Sequence, residues 1–234
     1  MKQLLYSNIY EGKFIKRLNR FIAEVMVDGK KTICHVKNTG RLKELLTEEA
    51  IVYLEKSNNP MRKTGYSLIS VQKDNRIVNI DSQAPNKVLY EALTNREINL
   101  PGFDNITCIK QESTYGSSRF DFYLESKNRK AYIEVKGVTL EDKGVAKFPD
   151  APTIRGVKHI YELVDAKKNG FDAYVVFIIQ MNNINSFTPN DETHKELGEA
   201  LRFAKHSGVK IMAYECDVSP DCIKFNGKQC GILL

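Results

Sequence analysis

Between Ser118 and Gly137 the chain reads Ser-Arg-Phe-Asp-Phe-Tyr-Leu-Glu-Ser-Lys-Asn-Arg-Lys-Ala-Tyr-Ile-Glu-Val-Lys-Gly. Apolar and polar residues alternate on either side of Lys127-Asn128, the pattern of two strands joined by a tight turn. Phe120, Phe122 and Leu124 form one face of the first strand, which sends Arg119, Asp121 and Tyr123 to the other. On the second strand Ile133 and Val135 face one way, and Tyr132, Glu134 and Lys136 the opposite way. A turn centred between Lys127 and Asn128 sets Asp121 opposite Glu134 and Arg119 opposite Lys136. Two carboxylates facing each other across a strand pair repel. A divalent cation between them removes that penalty, and hard oxygen ligands suit Mg²⁺ or Mn²⁺.

Asp121 followed by Glu134-Val135-Lys136 on the next strand resembles the D…(D/E)-x-K signature of the restriction-endonuclease-like nucleases. A longer string is more specific. It comprises Ser118 to Phe122, Ile133-Glu134-Val135-Lys136-Gly137-Val138-Thr139-Leu140, Phe148-Pro149-Asp150-Ala151-Pro152-Thr153-Ile154-Arg155-Gly156, and Lys158-His159. Together these residues resemble the sugar fermentation stimulation protein A family, nearly end to end. Phe120 stands where the wider nuclease superfamily often has proline. The resemblance implies an N-terminal OB-like domain, a nuclease-like C-terminal domain and DNA binding. It also implies that a helical glutamate ahead of the core strands contributes to a metal site. Glu91 is placed to match, and Glu112 is the alternative.

Charge is unevenly distributed along the 234 residues. Residues 1–80 hold 15 Lys and Arg against 8 Asp and Glu, a net of +7, whereas residues 81–234 hold 20 against 21, a net of −1. The first third therefore carries the field that attracts a polyanion, and the remainder supplies carboxylates. Lys16, Arg17, Arg20, Arg41, Arg62 and Lys63 are candidate phosphate contacts, interleaved with Phe14, Phe21 and Tyr66 as possible stacking rings. Further along, Arg119, Arg155 and Lys158 are candidate clamps on phosphates beside the Asp121 site.

The first 80 residues read as short strands. A loosely alternating run from Gly12 to Val27 ends at Asp28-Gly29, a strong hairpin turn. Strands follow at Thr32–Val36, 51–54, 66–71 and 77–80, with a brief helix expected from Gly40 to Leu46. Five strands and a small helix suit an OB-like barrel. Asp81 to Pro85 reads as a linker, and Asn86 as the cap of a helix from Lys87 to Arg96. The expected organisation is thus a basic OB-like domain at 1–82 and a nuclease-like domain at 83–234.

In the second part a strand at 106–112 precedes the hairpin, and Glu141 to Arg155 reads as a loop. A helix over 156–168, an apolar strand from Ala173 to Gln180, a helix over 191–206 and a strand over 209–214 complete it. The near-continuous apolar run marks a central strand covered on both faces. The order predicts an α/β fold, a mixed sheet flanked by helices with a small β-barrel added.

No run approaches the length of a membrane span, and the first residues are too polar for a signal peptide. Five scattered cysteines without a C-x-x-C pair fit reduced thiols, so a cytoplasmic location is expected. Three readings stay open at this stage. One is a DNA-binding protein of low sequence specificity, with a nuclease-like metal site and a regulatory link to sugar use. Another is an active Mg²⁺- or Mn²⁺-dependent DNA phosphodiesterase using Asp121, Glu134 and Lys136. The third is a module for an acidic small ligand or sugar phosphate.

Overall fold

A computed structural model describes residues 4–234. Strand β1 (Leu4–Leu5) is followed by β2 (Ile9–Asn19), β3 (Ile22–Val27), β4 (Lys30–Val36), β5 (Ile51–Lys56), β6 (Tyr66–Lys73) and β7 (Arg76–Asn79). Strands β2 to β6 close on themselves, because β4 pairs parallel with β6 as well as antiparallel with β3. The result is a closed five-stranded barrel, with β7 added beyond β6. Its interior is filled by Phe14, Val25, Val36, Leu54 and Leu68, all buried.

The run expected as one strand from Gly12 to Val27 is two, β2 and β3, reversing at Arg20-Phe21. The Asp28-Gly29 turn forms as expected, with both residues at positive φ (48° and 71°), the backbone a two-residue hairpin requires. The expected helix from Gly40 to Leu46 is absent. Leu42 is drawn fully into the barrel core, and its φ of 49° is a left-handed geometry that a right-handed helix cannot contain. A single turn remains, in which the N–H groups of Leu45 and Leu46 reach back to the Leu42 carbonyl at 3.1 Å and 2.8 Å.

The second part contains α1 (Ala84–Thr94), β8 (Cys108–Tyr115), β9 (Ser118–Glu125), β10 (Lys130–Val138), β11 (Leu140–Asp142) and β12 (Val145–Phe148). It continues with α2 (Ile154–Lys168), β13 (Asp172–Ile179), β14 (Ser186–Pro189), α3 (Asp191–His206), β15 (Lys210–Ser219), β16 (Cys222–Gln229) and β17 (Gly231–Ile232). Seven strands form one mixed sheet in the order β1-β16-β15-β13-β10-β9-β8. Strands β10, β13 and β15 run parallel, while β8, β9, β16 and β1 are antiparallel additions at the two sides. Strand β1 therefore lies apart from the barrel that follows it in sequence. Helix α1 packs on one face of the sheet and α2 and α3 on the other, so β13 is buried along its whole length.

The linker expected at Asp81 to Pro85 is already structured. Helix α1 begins at Ala84 with Pro85 in its first turn, where a missing N–H costs nothing. The buried Asp81 carboxylate accepts the Gln83 N–H at 2.9 Å and pairs with Lys37 of the barrel at 3.1 Å. Residues 141–155, read as a loop, take in most of β11 and all of β12, which build a small four-stranded sheet with β14 and β17. Among the described residues no helix is long and apolar enough to cross a membrane.

Candidate active site

The β9–β10 hairpin adopts the register read from its turn: Lys130 pairs with Glu125, Ala131 with Leu124, Tyr132 with Tyr123 and Ile133 with Phe122. The next pair would be Asp121 and Glu134, and there the ladder stops. On the other side of β9, Phe122 pairs with Gln111 and Phe120 with Ser113, and the intervening Glu112 has a φ of 54°. Strand β9 is thus irregular at Asp121. The single apolar face expected for Phe120, Phe122 and Leu124 is split by this irregularity. Phe122 and Leu124 pack under α1, whereas Phe120 packs with Tyr132 and α2 on the opposite side.

Freed from regular pairing, the Asp121 carboxylate turns along the strand. Its Oδ2 accepts the Val135 backbone N–H at 2.8 Å, and its Oδ1 accepts from Asn86 Nδ2 at 2.7 Å. Asn86 was expected as a helix cap; with α1 starting earlier, it projects from the first turn into the site. Burial, and then the charge of Glu134, hold the Asp121 carboxyl above its ordinary range, although Val135 and Asn86 counteract in part.

Glu134 is buried on β10 at 3% exposure. Its Oε1 accepts from Lys136 Nζ at 2.5 Å and from His159 Nδ1 at 2.6 Å. Burial alone would raise its pKa, but the hydrogen bond from His159 and the charge and hydrogen bond of Lys136 outweigh that and leave it below the ordinary range. The other oxygen, Oε2, is buried without a hydrogen-bond partner. An orphaned carboxylate oxygen beside a second, half-buried carboxylate is the type of donor that a hard divalent cation takes.

His159 was left without a role in the sequence reading. Helix α2 starts at Ile154, capped by Thr153, whose Oγ1 accepts the Gly156 N–H at 3.0 Å. This start puts His159 on the buried stripe with Gly156, Ile160 and Leu163. Arg155 Nε donates to His159 Nε2 at 3.3 Å, which leaves Nδ1 as the protonated nitrogen facing Glu134. The Phe120 ring packs edge-on against the imidazole at 5.9 Å.

The two candidates for a third carboxylate lie elsewhere. Glu91 lies farther along α1, the helix that packs against β16. Glu112 is exposed and pairs with Arg119 at 3.5 Å. Among the described residues no group of three or more His, Cys, Asp and Glu side chains is arranged around a common point. The two carboxylates brought together at the break in β9 are those of Asp121 and Glu134.

The basic residues separate into distinct roles. Arg17 was expected to contact phosphate. Instead its guanidinium is committed to carbonyls of its own domain: Asn19 at 3.2 Å, Arg20 at 2.6 Å, Asn38 at 2.5 Å, Gly40 at 2.6 Å and Arg41 at 3.2 Å. Phe14 is a core residue rather than a stacking ring. Arg119 sits in register with Thr114 of β8 rather than across from Lys136. Lys158 is exposed beside Glu162 at 3.6 Å, and Arg155 is turned toward His159. Arg20 and Arg41 are exposed and line a cleft between the barrel and the second part.

Comparison with known proteins decides the family. Residues 83–222 match the family model described as the sugar fermentation stimulation protein RE domain, and residues 15–80 match that of the SfsA N-terminal OB domain. The chain belongs to the SfsA family. A sugar fermentation stimulation protein homolog of Clostridium beijerinckii is 55% identical over 93% of this chain and 95% of that one. The homolog from Desulfitobacterium hafniense is also 55% identical, over 94% of each. Among solved structures, SfsA of Pyrococcus furiosus in complex with Ca²⁺ superposes with a TM-score of 0.89 and 28% identity, covering 100% of both chains.

Proposed function

We propose that this SfsA protein binds DNA with little base preference, and that Asp121 and Glu134 hold a Mg²⁺ or Mn²⁺ ion beside Lys136 in a site suited to phosphodiester hydrolysis. The observation that carries the reading is the buried Glu134 carboxylate beside the half-buried Asp121 carboxylate at the break in β9, with one Glu134 oxygen lacking any partner. The Ca²⁺ complex of the Pyrococcus furiosus relative supports a cation in this family. A bound divalent ion supplies Lewis acidity and a more acidic water.

The chain's own residues do the rest. Asn86 and the Val135 N–H fix the Asp121 carboxylate, and His159 fixes Glu134. The Lys136 ammonium, now on Glu134 Oε1, is the cation available to offset negative charge on a phosphate in the transition state. DNA attraction comes from the +7 charge of residues 1–80, with Arg20 and Arg41 as exposed contacts.

A second reading is a DNA-binding regulator without turnover, in keeping with the sugar-fermentation name of its relatives. The engagement of Glu134 by both Lys136 and His159, which partly neutralises the site without a metal, favours it. Plasmid nicking by purified protein with Mg²⁺, with Mn²⁺ and with EDTA separates the two. Metal-dependent nicking lost in Glu134→Gln supports hydrolysis. DNA binding whose affinity falls with salt, without nicking under any condition, supports the regulator. Absence of DNA binding at low salt contradicts both.

A further inference from the structure

The cleft between the two parts of the molecule encloses about 550 Å³. One wall is the barrel loop carrying Thr39, Gly40 and Arg41, with Arg20 beside it from the β2–β3 turn. The facing wall is the segment from Phe148 to Thr153, which joins β12 to α2. Gly137 lies between them, directly after Lys136 on β10. At about 3.3 Å per residue along a strand, Gly137 lies about 10 Å from Glu134. The cleft therefore opens on the same strand that carries the candidate active site.

Its walls are held in place by contacts within the protein. Arg17 ties the carbonyls of Asn38, Gly40 and Arg41 together from behind. Any side chain at Gly40 would collide with the Asp150 carboxylate, so the two walls meet closely there. At the floor, a Cβ on Gly137 would strike Gln180, whose amide is bonded to Asn79 at 2.9 Å and to the Asp81 carbonyl at 3.0 Å. These contacts join barrel, linker and sheet around the cleft, so its width is built into the fold.

We infer that this cleft receives single-stranded nucleic acid, one unstacked nucleotide at a time, next to the proposed cleavage site. The inference rests on the nucleic-acid reading above and adds to it the class of substrate. A recess of this volume is in the size class that encloses a small molecule, and it is walled on both sides. Bases inside a duplex are stacked and unavailable to such a recess; a base must leave the stack to enter one. The lining chemistry matches a nucleotide rather than an apolar ligand. Arg20 and Arg41 offer charge to the phosphate, and Asp150 offers an acceptor for base N–H groups. Phe21 follows Arg20 in the chain outside the cleft lining, and at 48% exposure it offers a stacking face to a neighbouring nucleotide.

The test compares a fluorescein-labelled mixed-sequence DNA strand with its duplex by anisotropy in EDTA, using the whole protein. Ala151→Trp fills the cleft from its wall without removing charge, and Arg20→Ser/Arg41→Ser removes the two cations and nothing buried. The wild type should bind the strand about tenfold more tightly than the duplex, and Ala151→Trp should erase that preference by weakening the strand alone. In the arginine double variant the log–log salt slope on the strand should fall by about 1.4, two contacts at about 0.7 each. Equal affinity of the wild type for strand and duplex overturns the inference and leaves the DNA-binding reading standing. So does a strand affinity unchanged in both variants. If the wild type binds neither form at low salt, the broader reading fails together with this one. Should Ala151→Trp not fold, as read from its melting curve, the exposed arginine pair alone decides.

Discussion

The Asp121 carboxylate accepts the backbone N–H of Val135 at 2.8 Å, where the β9–β10 ladder would have continued through Asp121 and Glu134. A side chain replaces a backbone partner, and the strand break this requires brings the half-buried Asp121 carboxylate up to the buried Glu134. Without a cation the arrangement costs stability, because burial and the neighbouring Glu134 charge both oppose ionisation of Asp121. The folded-state pKa of Asp121 lies above its ordinary value of 3.8, so the native state holds the proton more tightly than the unfolded chain. Stability is therefore lost as pH rises from below 3.8 through the folded-state value.

Asp121→Asn should accordingly stabilise the metal-free protein at neutral pH, because the Asn86 amide can flip to satisfy the new side chain. A gain of about 1 kcal/mol corresponds to roughly 2–4 °C in Tm for a chain of this size. The gain should shrink as pH falls toward the ordinary value of 3.8, where the wild-type carboxyl is protonated as well. Melting curves in EDTA across pH read this directly; a variant less stable than wild type throughout would show that the charge repulsion is not the dominant effect.

Lys136→Ala separates chemistry from binding. Lys136 is one cation among 35 Lys and Arg residues, so DNA affinity should stay near wild type. Loss of an electrostatic stabiliser of the transition state typically costs about 10²–10³ in rate, and metal-dependent nicking should fall by that factor. Arg119 cannot substitute, since it is exposed and paired with Glu112. Single-turnover nicking alongside gel-shift affinity measures both quantities, and a parallel loss of the two would make Lys136 a binding residue instead.

Much of this arrangement is readable from residues 118–140, and the reasons for the rest are physical. The hairpin register follows from its polar turn and alternation, and β13 from its unbroken apolar run. Strict alternation does not foresee the face change between Phe120 and Phe122, because the irregularity at Asp121 is stabilised by the tertiary bonds to Val135 and Asn86. The helix expected at Gly40 to Leu46 gives way to burial of Leu42, a case of packing overriding local propensity. His159 left a usable signal, since it falls on the apolar stripe of α2 with Arg155 one turn before it. Arg17 left none, because an arginine in a basic run looks the same whether it faces solvent or its own backbone.

Arg17 should behave as a structural residue. Arg17→Lys keeps the charge but cannot supply five hydrogen bonds in one plane. Hydrogen bonds to charged groups contribute about 1.5–3 kcal/mol each, so the variant should lose at least about 2 kcal/mol of stability. Faster amide exchange around residues 38–41 should accompany the loss. A variant with wild-type melting and weakened DNA binding would return Arg17 to the role of phosphate contact.

Glu141 ties the second part of the chain to the barrel, bonding Lys73 at 3.1 Å and approaching Arg76 at 3.6 Å. Burial raises its pKa, but the Gly144 N–H, Lys73 and Arg76 outweigh that and depress it below the ordinary 4.5. A depressed carboxylate contributes stability above its unfolded value that is lost as pH falls through the folded one. Glu141→Gln should therefore lower Tm at pH 7 by roughly 2–4 °C, the shift expected for about 1 kcal/mol. The difference from wild type should close below pH 4.5. A gap that stays constant across that range would assign the effect to packing.

The most direct test of the cation site is a Mn²⁺ titration of Tm in the wild type and in Glu134→Gln. A ligand at about 100 times its Kd stabilises by about 2.7 kcal/mol, which is roughly 5–11 °C here. The wild type should climb by that amount and return to its starting value in EDTA, while Glu134→Gln should stay flat. A wild-type Tm indifferent to Mn²⁺, or a Glu134→Gln curve that rises in step with it, would contradict the assignment of the ion to Asp121 and Glu134.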